Sequence, residues 1–558
     1  MILGLDVGGT QTDTVLIDGD RILAGTKIPT GKDLLLTLRN ALESILTGVE
    51  PDQIERMAFS TTLATNAIVE DRLEPTGMIV SAGPGIDPAC FSIGPSFHVV
   101  EGCLDHQGFE AVPLSKASVM EAAEKIRKTG INTIGVTGKF SVRNPAHELQ
   151  IVDWVKGLFS HVAMGHTVSG GLNFPRRIFT TYLNASLHKL YKSFFDALTH
   201  ILDEKNLHGP RYLLKPDGGT IDLLRSMGAP ARTAQSGPAA SVMGALALDG
   251  CEGTTLVMDI GGTTTDMAVV LDGVPLLNPH GVKLGQYKTL IRSIVTHSLG
   301  TGGDSVIQVD DEGKMTVGPR RNGPPVACGG VVATPTDAMV TLGLLDVGDK
   351  SCARSAMKDL GGALGCEAER AADRVLRRMA ETIAQSARAF VHDINSRPVY
   401  TIHQVLNEEK IEPVSVLVMG GPAPHLAPYV EKALGLPCRV PRYYHVANAV
   451  GAAVARVTAR VTLQADTERG SVIIPEAGEE HKIDRSFDMD QAIALARESL
   501  CRRAMLIGAR DNSLETSITE KQIFNMIRGY RMVGQNIRLK MSITPGLIPQ
   551  WKRSKEAC

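Results

Sequence analysis

The sequence predicts an α/β protein of two related domains followed by a smaller C-terminal appendage. A duplication carries that prediction. Residues 6–13 read Asp-Val-Gly-Gly-Thr-Gln-Thr-Asp, and residues 259–266 read Asp-Ile-Gly-Gly-Thr-Thr-Thr-Asp. Each copy follows a short apolar run (Met1–Leu5, Thr255–Met258) and precedes another (Thr14–Ile17, Met267–Leu271). Each then reaches a turn signal, Asp18-Gly19-Asp20 or Asp272-Gly273. The pattern reads twice as strand, Gly-Gly turn, strand, hairpin. The helical half of the prediction rests on 366–395, where Val375, Leu376, Met379, Ile383, Ala387 and Phe390 recur every three to four residues.

Composition bounds the rest. The chain has 558 residues, 58 basic against 60 acidic, and 43% hydrophobic content. That length suggests roughly 3–4 domain-sized units. There is enough apolar material for sizeable cores, which excludes a disordered chain or a disulfide-stapled mini-protein. A net charge of −2 argues against a nucleic-acid binder. The nine cysteines are scattered without a C-x-x-C pair, and read as buried apolar residues in a reducing compartment. No signal peptide or membrane span is expected, and the protein is expected to be soluble and cytoplasmic.

The chemistry of the repeated unit is readable from its residue types. Adjacent glycines let backbone N–H groups approach a phosphate closely. Threonine hydroxyls can donate to phosphate oxygens. An Asp at the end of a buried strand can hold Mg²⁺, directly or through water, or orient an attacking group. Two such loops facing across a cleft suit a nucleoside triphosphate held between related domains. Alone, either copy could be a plain β-turn.

Paired loops of this type resemble the superfamily of acetate and sugar kinases, Hsp70 and actin. That resemblance implies two ribonuclease-H-like domains around an interdomain nucleotide cleft, and an adenosine loop of apolar residues followed by Gly-Gly. Val414-Ser-Val-Leu-Val-Met-Gly420-Gly421-Pro422 fits that loop, with a helix within 423–434 confined by Pro424 and Pro428 to its later part.

A finer resemblance is to the hydantoinase A and 5-oxoprolinase family. Its motifs are matched in order by Ser60-Thr61-Thr62-Leu63-Ala64-Thr65-Asn66-Ala67, by Asn144-Pro145-Ala146-His147-Glu148, and by the stretch from Arg177 through Thr180, Thr181 and Asn184 to Ala185. Asp217-Gly218-Gly219, Ser236-Gly237-Pro238-Ala239-Ala240, His297-Ser-Leu-Gly300-Thr-Gly302-Gly303 and Thr336-Asp337-Ala338 continue the series. The match covers about residues 1–455. It departs at Asp304, where the family's loop usually continues with glycine, at Pro216, where it has serine, and along 320–325.

The expected organisation is a first domain over 1–200 with the first phosphate loop. A second domain over 205–440 carries the second phosphate loop and the adenosine loop. A small-residue helix over 441–460 returns toward the first domain, and 461–558 forms the appendage. In the appendage, a strand near 470–474, a helix near 489–508 and a half-buried strand at 537–541 are expected. Its last residues are basic (Arg528, Arg531, Arg538, Lys540, Lys552, Arg553, Lys555), a solvated surface or a docking edge for a partner subunit.

The resemblance implies ATP-dependent ring opening of a cyclic amide such as a hydantoin or a 5-oxoproline-like lactam, by phosphoryl transfer to the amide oxygen. It assigns Asp6 and Asp259 to Mg²⁺ and to the transfer step. Phosphates fall to Gly8, Gly9, Thr10, Thr12, Gly261, Gly262, Thr263 and Thr264, with Asp13 and Asp266 holding the loops or the metal's waters, and adenosine falls to Gly420 and Gly421. On the substrate side it points to Thr65, Asn66, Asn184 and Asp304, with His147 and His297 as further catalytic candidates. Each has a plainer reading: Thr180 or Thr181 as a helix cap, His147 as a residue beside the Asn144-Pro145 helix start, His297 as a loop histidine. A metal set drawn from His147, His297, Asp217 and Asp304 depends on the fold. A second catalytic subunit of hydantoinase B type and a homo-oligomer are further expectations. A small-molecule kinase and an ATP-driven clamp stay open on the same fold.

Overall fold

Both copies of the repeated motif fold as the central hairpin of a mixed sheet. The computed structural model describes residues 1–31, 33–396, 410–510 and 514–551. In the first sheet Ile2–Val7 pairs antiparallel with Gln11–Asp18 and parallel with Arg56–Thr61. Arg21–Pro29 continues one edge, and Arg211–Leu214 and Thr220–Asp222 complete the other. In the second sheet Thr254–Ile260 pairs antiparallel with Thr265–Leu271 and parallel with Ser415–Met419, which is followed by Cys438–Arg439. The shared plan is a hairpin whose first strand is flanked by a parallel strand, the ribonuclease-H-like arrangement, present twice.

The first domain runs past residue 200. Its strands Arg211–Leu214 and Thr220–Asp222 lie beyond the expected break near 205. The displacement has a physical source. Between Arg56–Thr61 and Arg211–Leu214 the chain builds a separate parallel sheet from Thr76–Ser81, Ser96–Val100, Thr133–Gly138 and His161–Met164. Parallel pairing needs long crossovers, so this excursion delays the return to the first sheet.

Two small-residue helices, Ser236–Leu248 and Ala447–Val454, form the seam between the domains. A Cβ on Gly451 would stand 2.2 Å from the Ala240 carbonyl oxygen, and one on Gly244 would stand 2.1 Å from that of Ala447. A Cβ on Gly4 would come within 2.4 Å of the Ala449 oxygen. Backbone therefore packs on backbone, and the later helix lies directly on the first strand.

The helix Ala368–Asn395 buries the expected apolar stripe from Val375 to Phe390 against the second sheet. The helix after the Gly-Gly turn spans Ala423–Leu434, longer than expected. Pro424 occupies its first turn, where its missing N–H loses nothing, and Pro428 is accommodated inside it.

The C-terminal unit is an antiparallel sheet in the order Glu479–Lys482, Ser471–Ile474, Arg460–Asp466, Arg531–Ile543, Thr516–Arg528. The helix Met489–Leu506 covers one face, burying Ala492, Ala496 and Leu500 with Leu463, Ile537 and Leu539. The basic residues Lys552, Arg553 and Lys555 lie outside the described residues. Among the described residues, no helix is long and apolar enough to cross a membrane; no disulfide links the eight cysteines, of which only Cys103 and Cys251 are buried while Cys90, Cys328 and Cys352 are exposed, a correction to their expected burial.

Candidate nucleotide cleft

The turn in each hairpin closes through the same backbone bond. Gly8 N–H donates to the Gln11 carbonyl at 3.0 Å, and Gly261 N–H donates to the Thr264 carbonyl at 2.9 Å. The tips are exposed at Gly9, Thr10, Gly262 and Thr263, so their N–H and hydroxyl groups are available to a ligand. Directly behind the tips, Asp6 faces Asp13 and Asp259 faces Asp266 across their hairpins. Thr12 is different. It is fully buried, and its hydroxyl shares a 2.9 Å bond with that of Thr30. It braces the first loop from beneath and is not presented to a phosphate.

The two halves meet at Asp6 and Asp259. Ser241, on the first turns of the seam helix, donates to Asp259 Oδ2 at 2.6 Å. Asn448, on the other seam helix, donates to the same oxygen at 3.3 Å and also bonds Asp6. Ser60 supports Asp6 and in turn bonds Ser236 at the start of the seam helix, at 3.2 Å.

Burial raises the pKa of Asp6, outweighing its bonds to Ser60 and Asn448, and the nearby Asp259 carboxylate adds to the rise. Burial carries Asp13 to about 7, against the opposing Lys27 ammonium 3.2 Å away. It carries Asp266 to about 6. Such a group of carboxylates is stabilised in its ionised form by a cation. The donor set fits Mg²⁺, because Asp6 Oδ1 is a buried, hard oxygen with no hydrogen-bond partner among the described residues.

The glycine pair after Ser415–Met419 sits beside the second loop. Gly420 has φ +92°, and a Cβ there would meet the Ile260 oxygen at 2.2 Å and Asp259 Oδ1 at 2.7 Å. Around Gly421 the space is open. On the other flank, the 300–304 loop lies against the second Gly-Gly-Thr turn: Gly303 N–H donates to Gly261 O, and Asp304 N–H to Gly262 O. The Asp304 carboxylate pairs with Arg321 at 3.1 Å and accepts from Thr336 Oγ1 at 3.2 Å. Arg321 also donates to Thr263 Oγ1 at 3.2 Å. Asp304 is thus part of the wall of the second loop.

The other proposed substrate-side residues are occupied elsewhere. Thr65 Oγ1 accepts the N–H of Gln235, a left-handed residue (φ 62°) that launches the seam helix, at 2.7 Å. Asn66 donates to Thr62 at 3.4 Å. Asn184 is buried, and its carboxamide bonds the Gly228 carbonyl and the Ala231 N–H. Thr180 and Thr181 lie inside the helix Phe174–Ser186, capped by Asn173, and their hydroxyls bond the carbonyls of Arg176 and Arg177.

His147 is 1% exposed and pairs with Glu110 at 2.9 Å. His297 bonds Ser386 at 2.9 Å and stacks on Phe390 of the long helix. The Nε2 of each ring is thus bonded to a neighbouring side chain, while His147 Nδ1 is buried with no hydrogen-bond partner among the described residues. Asp217 pairs with Lys215, so His147, His297, Asp217 and Asp304 each have a separate partner. No cluster of three or more His, Cys, Asp and Glu side chains placed to hold a metal ion exists among the described residues. Sequence reasoning missed Ser60, Ser241, Asn448 and Arg321. The local signals were the motif that Ser60 opens and the Ser236-Gly237-Pro238 segment, five residues before Ser241.

Two ribonuclease-H-like domains with paired Gly-Gly-Thr turns and facing aspartates define the actin-like ATPase class of fold. Within it, the chain belongs to the hydantoinase/oxoprolinase family, whose model matches residues 177–461, while the family's N-terminal region matches 2–158. It is 26% identical over 459 residues to caprolactamase subunit alpha of Pseudomonas jessenii, covering 75% of this chain and 64% of the relative. It is 27% identical over 396 residues to the acetophenone carboxylase gamma subunit of Aromatoleum aromaticum, covering 62% of this chain and 53% of the relative. The matches thus span less than two thirds of those relatives. Nucleotide-free acetone carboxylase superposes with a TM-score of 0.72 at 17% identity, over 99% of this chain and 88% of the other. ATP-dependent caprolactamase from P. jessenii superposes with a TM-score of 0.67 at 19% identity, over 98% and 88%.

Proposed function

We propose that the chain hydrolyses a cyclic amide, a lactam or hydantoin, at the expense of ATP. One observation carries this reading: Asp6 and Asp259, from loops of matching geometry, converge on Asn448. The exposed loop tips hold the phosphates, and Gly420-Gly421 border the adenosine. Asp6 and Asp259 would hold Mg²⁺, which would supply neutralisation of phosphate charge.

An amide carbonyl is a poor electrophile, because nitrogen donates into it. Transfer of the γ-phosphoryl group to its oxygen releases ADP and, with loss of the N–H proton, leaves an O-phosphorylated imidate whose phosphate draws electron density from the carbon. Water then adds to the carbon, the C–N bond breaks to free the amine, and a second water hydrolyses the acyl phosphate. The chain's part is positioning and electrostatic stabilisation of the transferring group. Loop N–H groups orient the phosphates, and the seam helices fix the two aspartates through Ser241 and Asn448.

The family relatives are named as subunits, which supports a partner subunit for the ring-opening steps. The hairpin of Thr516–Arg528 and Arg531–Ile543 is a fitting edge for it, with Phe524, Ile527 and Met532 exposed.

The test is ADP release from Mg-ATP by the purified chain, with and without a panel of lactams and hydantoins. The expected result is strong stimulation by one compound with stoichiometric ring opening. A stable phosphorylated product would replace this reading with a kinase.

A further inference from the structure

A second cavity, of about 460 Å³, lies away from the phosphate loops, and no loop residue lines it. Four parts of the chain close it. These are the end of the parallel-sheet excursion (His166–Ser169), the first sheet with its trailing segment (Lys215–Asp217, Arg232), the 290–292 segment, and the C-terminal unit (Thr458–Arg460, Glu476, Arg503). Its lining is strongly cationic: Lys215, Arg225, Arg232, Arg292, Arg460 and Arg503 face two carboxylates.

Those two carboxylates are already engaged. Asp217 accepts from Thr458 Oγ1 at 2.9 Å and from Gly219 N–H at 3.2 Å, and it pairs with Lys215 at 3.4 Å. Glu476 accepts from Thr462 N–H and Oγ1, each at 2.9 Å, and from Gly170 N–H at 3.2 Å. The guanidinium of Arg232 spends its bonds on the neutral carbonyls of Thr167 and Val168. Arg292 Nη1 is buried with no hydrogen-bond partner among the described residues, its nearest carboxylate oxygen lying 3.8 Å away. Burial depresses the basicity of Arg232, to about 10, with the nearby Arg503 and Arg460 guanidiniums adding to the fall; burial also depresses that of Arg503, and Arg460 adds to it.

A half-enclosed cavity with surplus positive charge is unfavourable when empty, because like charges repel strongly where solvent is scarce. Guanidinium forks match carboxylate and phosphate oxygens in geometry. The volume falls in the range of small-molecule sites.

We propose that this cavity binds a small acid carrying at least two negative charges, as carboxylates or as phosphate, and that the bound acid ties the C-terminal unit to the two ATPase-like domains. Arg503 and Arg460 reach it from the C-terminal unit, and Arg292 and Lys215 from the domains. An anion between them would pair with cations from both sides and add to the bonds that already join Thr458 to Asp217 and Glu476 to Gly170.

The test uses the full chain without nucleotide. Isothermal calorimetry and thermal unfolding are run with succinate and citrate for the carboxylate arm, and inorganic phosphate and pyrophosphate for the phosphate arm. At least one is expected to bind with Kd below about 1 mM and to raise the melting temperature. Arg503→Gln and Arg292→Gln are each expected to weaken binding about tenfold while leaving ATP affinity unchanged. Asp6→Asn is expected to leave anion binding intact. Two results overturn the proposal: none of the four acids binds, or binding survives in both arginine variants. Loss of binding in Asp6→Asn assigns the anion to the phosphate loops and overturns it too. Because the readout is binding and not turnover, failure here leaves the amidohydrolase reading standing, and the reverse.

Discussion

Ser241 holds Asp259 through a 2.6 Å hydrogen bond, whereas Asp6, at the matching place in the first hairpin, leans on Ser60. The two carboxylates are equivalent in backbone position and unlike in support. Both are assigned to the metal-nucleotide complex, so Asp6→Asn and Asp259→Asn should each reduce ATP turnover by about 100-fold or more. Ser241→Ala removes an orienting bond while sparing the carboxylate. It should lower kcat by about tenfold with little change in KM for ATP. Steady-state ADP release, with circular dichroism to check folding, measures all three.

Gly420 and Gly421 separate a steric requirement from an open one. Alanine at 420 must adopt φ +92° and drive its Cβ into the Ile260 carbonyl and the Asp259 carboxylate. The expected cost is about 2 kcal/mol or more, read as a lower melting temperature, and Asp259 is displaced with it. Alanine at 421 meets nothing within 4 Å. Gly421→Ala should fold as the parent does, and any loss of ATP affinity in it reports contact with the nucleotide.

Arg321 spans the wall of the second loop, from Asp304 at 3.1 Å to Thr263 at 3.2 Å. It brings a positive charge to a loop tip that is otherwise exposed backbone and hydroxyl. Arg321→Ala should raise KM for ATP about threefold to tenfold, and the effect should shrink at high salt. Asp304→Asn frees the guanidinium from its carboxylate partner. It should leave KM for ATP unchanged or lower it.

The duplicated hairpins were legible because Gly-Gly turns between apolar runs are local signals. The stripe of 366–395 was legible because one helix face repeats every turn. The excursion holding Thr133–Gly138 was not, since no local pattern says which sheet a parallel strand joins. Thr12 and Asn184 looked like ligand groups for a related reason. A buried polar side chain satisfied by Thr30 or by the Ala231 N–H has the same residue type as one satisfied by a ligand. Ser241 and Asn448 went unread because they matter through Asp259, which lies 18 and 189 residues away from them. The charge of the second cavity was equally invisible: Lys215, Arg292 and Arg503 come from distant segments and meet only in the fold.

The raised pKa of Asp13 makes a claim about stability. Burial, opposed by Lys27, lifts the folded carboxyl from 3.8 to about 7. Between those values the folded state binds a proton that the unfolded chain has released, so stability falls as pH rises. The contribution is fully present below about pH 4 and gone above about pH 7. Asp13→Asn removes this titration while nearly preserving shape. Its melting temperature should match the parent's near pH 4.5 and exceed it by about 2–4 °C at pH 8. Saturating Mg²⁺ and ATP should narrow the gap at pH 8, because a cation beside Asp6 lowers the cost of ionising Asp13. Thermal unfolding from pH 4.5 to 8 measures both, and a gap that does not change with pH would remove Asp13 as its source.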